Sequence, residues 1–109
     1  GFSMKIFKLN DFIKGWIIGN FEPSIIKSKD FEIGIKKYKK GDFEQSHHHK
    51  IATELTVIAV GKVKMFDSIY STGDIIVVEP FDSTSFEVLQ DTITVVIKTP
   101  SATDDKYLE

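Results

Sequence analysis

The sequence predicts an all-β domain, a sandwich or barrel of about eight short strands. Three observations carry this reading. β-Branched and aromatic residues recur in short runs, turn-forming Gly, Asp, Ser and Pro separate the runs at regular spacing from Phe31 onward, and no segment has the periodicity of a long amphipathic helix. The first run spans 16–21. The next, 31–39, alternates: Phe31, Ile33 and Ile35 share one face, expected to point inward, until Lys36, Lys37, Lys39 and Lys40 supply a solvated end. Gly41 and Asp42 turn the chain into 43–49. Strands 54–60 and 62–66 are divided by Gly61, and Asp67 and Ser68 end the second. Gly73 introduces 74–78, the stretch from Pro80 to Ser83 precedes 85–89, and Asp91 breaks the chain before 92–98.

Composition narrows the function classes. A chain of 109 residues with 41% hydrophobic residues, nine Phe and one Trp fills one core. A net charge of −2 creates no field that gathers nucleic acid or anionic lipid. The absence of cysteine excludes disulfides, thiolate metal sites and thiol nucleophiles. Apolar runs such as Ile75 to Val78 are far shorter than the ~20 residues of a membrane span, and the N-terminus lacks a secretory pattern, so a cytoplasmic protein without membrane or nucleic-acid partners is expected. Residues 1–3, ahead of Met4, read as a cloning remnant.

The chemistry concentrates between Gly41 and Gly61. On a strand, His47 and His49 face the same way and His48 the opposite way, so two imidazoles can share one ion inside a barrel. Glu54, beginning the next run, brings a carboxylate beside them. A site with two His and one carboxylate suits a divalent transition metal, Fe, Mn, Ni, Zn or Cu, and leaves open positions. The same residues also fit exposed histidines on an edge strand, one of them hydrogen-bonded to Glu54.

Gly41, His47, His49, Glu54 and Gly61 match, without a gap, the first signature of the cupin superfamily: Gly, five residues, His-x-His, four residues, Glu, six residues, Gly. The chain resembles a small single-domain cupin. The second signature is degraded: Gly73 opens it, but Glu79 stands for its Pro, Phe81 for its Gly, Thr84 for its metal-binding His and Val88 for its Asn. The resemblance covers 31–98 and implies a jelly-roll β-barrel there, with 4–30 forming N-terminal strands or a dimer crossover and 99–109 a polar tail that either frays or packs across a partner. It implies His47, His49 and Glu54 as metal ligands, with water, Glu79 or Asp82 taking the corner that Thr84 cannot fill. It also implies a homodimer, with residues 6–16 crossing over.

By parity, Phe43 and Gln45 share the face of His47 and His49, and Thr56 that of Glu54; Thr84, Phe81 and Phe86, with Phe66, are further pocket candidates. Tyr38 and Tyr70 are candidate hydrogen-bond donors. The pattern places no basic residue firmly inside, so an acidic substrate is not assumed. The functions that follow are a metal-dependent oxygenase or isomerase acting on a small organic molecule, or a metal-free small-molecule binder, for example of sugars, or an epimerase-like cupin.

Overall fold

A computed structural model describes residues 4–109; the reading of residues 1–3 falls outside it. After a 3-10 turn at Leu9–Asp11 come β1 (Trp16–Gly19), β2 (Ile26–Lys27), β3 (Glu32–Tyr38), β4 (Phe43–His48), β5 (Thr53–Val60), β6 (Lys62–Met65), β7 (Ser68–Ser71), β8 (Ile75–Val78), β9 (Thr84–Val88), β10 (Thr92–Thr99) and β11 (Tyr107–Leu108). The eight expected strands all form. Three short ones, β2, β7 and β11, carry too little apolar pattern to announce themselves. The break read at Asp67 and Ser68 falls one residue earlier: Phe66 and Asp67 form a hairpin turn, both at positive φ, 48° and 60°, and Ser68 opens β7 opposite Met65.

The strands form two sheets, of order β2-β1-β3-β10-β5-β8 and β11-β4-β9-β6-β7. Between them lies an apolar core of Ile58, Val63, Met65, Ile76, Val78, Phe86 and Val88. The inward set on β5 and β10 follows strict alternation, Thr56 and Ile58 on one, Thr92, Thr94 and Val96 on the other.

Strand β3 reverses the expected facing. Its even residues point in: Glu32 and Gly34 are buried, whereas Phe31 is 48% exposed and Ile33 and Ile35 are half-buried on the outside. The reason is the partner strand. Trp16 of β1 pairs with Gly34, and a Cβ on Gly34 would meet the Trp16 ring at 2.8 Å, so the missing side chain seats the indole and commits this face to the interior. Lys37, Lys39 and Lys40 are exposed as expected, but Lys36 turns inward with the even face.

The C-terminal tail neither frays nor leaves the barrel. Strand β11 pairs antiparallel with β4, Tyr107 opposite His48, and the buried Asp105 carboxylate accepts the N–H groups of Lys50, Ile51 and Ala52 at 2.9–3.2 Å. No helix is long and apolar enough to cross a membrane among the described residues.

Candidate functional site

The two sheets enclose a cavity of about 340 Å³ at one end of the barrel. His47, His49 and Glu54 all line it, together with Thr56, Thr84 and Phe86. Strand β4 and the residue that follows it, His49, present both histidines because a register shift between Glu44 and His47 interrupts the pairing with β9. The shift also overturns the parity argument for their neighbours. Glu44 faces the cavity, whereas Phe43 is 64% exposed and Gln45 lies outside, donating from Nε2 to the Glu109 carbonyl at 3.2 Å. A bulge inserts one residue, so inward positions are even before it and odd after it.

Phe81 is also displaced from the pocket. It sits at φ 71° and 67% exposed on the outer surface, where it stacks with His48 at 6.3 Å between centroids. His48 points out, stacked on Tyr107 at 5.4 Å and donating from Nδ1 to Glu109 at 2.6 Å. The Glu109 carboxyl, bonded first by the Ser83 hydroxyl and then by His48, is held below the usual glutamate value. Phe66 occupies the β6–β7 turn, and Tyr70 packs against the apolar core.

Within the cavity the two imidazole rings lie edge to face, 5.4 Å apart. His47 Nδ1 donates to the Gln45 carbonyl at 3.0 Å, so its Nε2 carries the lone pair in the neutral ring. His49 is 3% exposed, and its buried Nε2 has no hydrogen-bond partner. Burial, and next the charge of Lys98, lower its pKa to about 4, keeping the ring neutral and its lone pair available. The Glu54 carboxyl is pushed above its ordinary value by burial, against the opposing charges of Lys98, its cross-strand neighbour, and His47.

This donor set meets a metal only in part. The paired imidazoles and the orphaned His49 Nε2 suit an ion, but among the described residues no three His, Asp or Glu side chains converge closely enough to hold one. Nor is there a replacement at the fourth corner. The Thr84 hydroxyl is committed, donating to the Ser85 carbonyl at 2.7 Å and accepting the Phe66 N–H at 3.0 Å. Glu79 accepts from the Thr53 hydroxyl at 3.2 Å and Asp82 is exposed; neither lines the cavity.

Several lining residues escaped the sequence reading. Trp16, Lys36 and Lys98 form, with the candidate donor Tyr38, the wall of β1, β3 and β10, and Lys14 and Lys106 lie at the rim. The Tyr38 hydroxyl donates to Glu44 at 3.0 Å, and its ring packs 5.0 Å from Phe86. Burial first, then Glu44, raise its pKa well above the ordinary phenol. Basic residues, which the strand pattern did not place inside, therefore line the cavity. A glycine inside a strand, Gly34, was the available signal, since it marks a close approach that fixes which face is crowded.

No protein-family model matches the sequence, and no curated protein matches it. Solved structures do resemble it in shape. A protein with a double-stranded β-helix domain from Klebsiella pneumoniae has TM-score 0.71 at 15% identity, with 95% of this chain and 90% of that chain covered. An RmlC-like cupin from Shewanella frigidimarina has TM-score 0.61 at 17% identity, covering 71% of each. Oxalate decarboxylase from Bacillus subtilis has TM-score 0.64 at 15% identity, over 74% of this chain but 24% of that one. This chain has the cupin fold, a double-stranded β-helix in a single domain.

Proposed function

We propose that this cupin binds a small organic molecule in the barrel cavity, with His47, His49 and Glu54 as the polar end of the site and Thr56, Thr84 and Phe86 as its floor. One observation carries the reading: a cavity of about 340 Å³ gathers two imidazoles and a carboxyl group among aromatic, aliphatic and lysine side chains. That size and mix characterise small-molecule pockets. A small carboxylate is the substrate that the name of oxalate decarboxylase gives for one protein of this shape. The test is ligand-shift screening by thermal denaturation, wild type against His47→Ala. Stabilisation that the variant loses supports the reading; ligands that stabilise both proteins equally overturn it.

A metal-holding site is the second reading, favoured by the orphaned His49 Nε2. His47 and His49 would hold a divalent transition ion, Fe, Mn, Ni, Zn or Cu, with Glu54 completing the set after a side-chain rotation; such an ion supplies Lewis acidity or an open position for a second ligand. Elemental analysis of protein grown in metal-supplemented medium, compared with a His47→Ala, His49→Ala variant, tests it. Stoichiometric metal lost only in the variant supports a metal centre and directs turnover assays to oxygenase and isomerase chemistry. Equal, substoichiometric metal in both leaves the metal-free binder.

A second copy of this chain is the proposed protein partner. The outer face of the six-stranded sheet exposes Ile75 and Val77, and the N-terminal segment exposes Met4, Ile6 and Phe7. Light scattering at micromolar concentration reads the mass directly, and a monomer there overturns the dimer.

A further inference from the structure

We propose that Trp16, Lys36 and Lys98 form an oxyanion subsite, which takes the carboxylate or phosphate group of the molecule bound in the cavity. The proposal rests on the small-molecule reading and adds the charge class of the ligand.

Register builds the subsite. Trp16 lies opposite Gly34 on β3, Lys36 is two residues further along the same face, and Lys98 of β10 stands opposite Glu32, two residues before Gly34. Both lysines therefore flank one indole. Their ammonium nitrogens lie 4.1 Å and 5.0 Å from its ring centroid, which holds two long side chains in place over a flat apolar wall. Preorganised cations of this kind lose little freedom when an anion arrives.

Neither lysine has an ion-pair partner among the described residues. The ion pairs among the described residues are Lys27 with Glu22 and His48 with Glu109, so no carboxylate lies within ion-pair distance of Lys36 or Lys98. Lys36 donates to the Lys14 backbone carbonyl at 2.5 Å. Four lysines line the cavity against Glu44 and Glu54, and Glu44 already accepts the Tyr38 hydroxyl. Burial, reinforced by Lys98 and Lys14 and opposed by Glu44 and Glu54, lowers the Lys36 pKa to about 8. An anion would relieve that strain on the charged form.

An independent feature points to the same place. Thr94 pairs with Lys36 across the β3–β10 ladder, lines the cavity, is fully buried, and its hydroxyl has no partner. Buried hydroxyls are ordinarily satisfied, so a group that accepts a hydrogen bond is missing from this wall. A ligand oxygen between Lys36 and Lys98 supplies it.

The test uses the fluorescence of Trp16, the protein's only tryptophan, in low-salt titrations with butyrate, butyl phosphate and the neutral butyramide. A saturable change with at least one anion, at least tenfold tighter than with butyramide, is expected. Lys98→Met and Lys36→Met should each weaken the anion at least tenfold without altering butyramide, and Lys98→Arg should retain it; far-ultraviolet circular dichroism establishes that each variant folds. The tighter of the two anions identifies carboxylate or phosphate as the group recognised. Butyramide binding as tightly as the anions, or Lys98→Met leaving anion affinity intact, overturns the subsite while the pocket reading stands. No saturable response to any of the three overturns both.

Discussion

Asp105 accepts the backbone N–H of Ala52 at 2.9 Å, fastening the C-terminal tail to the link that runs from His49 to Glu54. With the Lys50 and Ile51 N–H groups bound to the same carboxylate, three consecutive donors that no strand partner could reach are satisfied by one side chain. The tail thus holds the spacing between two site residues, His49 just past β4 and Glu54 on β5. Its next residue, Lys106, reaches the rim of the cavity.

Replacing Asp105 by Asn should therefore cost about 2 kcal/mol or more, because an amide offers one acceptor oxygen and turns its NH2 toward N–H donors. Urea unfolding at neutral pH measures this. Burial alone would raise the Asp105 pKa, but the three backbone donors outweigh it and the carboxyl is held below the ordinary value. A depressed acid stabilises above its unfolded pKa and loses that contribution as pH falls toward the folded value. The gap between wild type and variant should shrink below about pH 4.

Two glycines of the motif separate strain from space. Gly41 and Gly61 both have positive φ, 95° and 116°. A Cβ on Gly41 meets nothing within 4 Å, whereas one on Gly61 would lie 2.2 Å from Thr92 Oγ1 and 2.7 Å from the Asp91 carbonyl oxygen. Gly41→Ala should cost about 1 kcal/mol from backbone strain, and Gly61→Ala roughly 3 kcal/mol or more as the β5–β6 turn is pushed from β10. Equal melting temperatures for the two variants would contradict this.

Tyr38→Phe keeps the ring on Phe86 and removes the bond to Glu44, so a loss of about 1 kcal/mol at neutral pH is expected. The sign with pH is informative. A raised phenol pKa stabilises fully below the unfolded value near 10 and is lost as pH climbs above it, so wild type should destabilise more steeply than Tyr38→Phe between about pH 10 and 11. Denaturant midpoints at three alkaline pH values decide it.

Anion binding should weaken as pH rises past about 8, where Lys36 loses its proton in the free protein. The groups that face it are Lys14 before β1, Glu44 on β4, Glu54 on β5 and Lys98 on β10. Of these, the lysines lower and the glutamates raise its proton affinity. Titrating butyrate at pH 7 and pH 9.5 should show roughly a tenfold loss in wild type, and Lys36→Arg should flatten the profile because guanidinium stays charged.

Much of the fold was legible because short β-branched runs and turn residues are local signals. The eight expected strands form with ends shifted by two residues at most, as Trp16–Gly19 does against 16–21. The His-x-His spacing likewise survives on β4, since it needs only a period of two. Phe43 and Gln45 fail for one reason: the shift between Glu44 and His47 depends on how β4 meets β9, which no local pattern encodes.

Local signals alone set the all-β class, most strand positions, and the pair of imidazoles that point together. These follow from side-chain periodicity and turn chemistry, which act over a few residues. Tertiary structure decided which face of β3 lies inside, because Trp16 needed the empty side of Gly34. It also decided that Lys36 and Lys98, 62 residues apart in the chain, meet over one indole. Such meetings are settled by cross-strand register, which depends on the packing of the whole barrel.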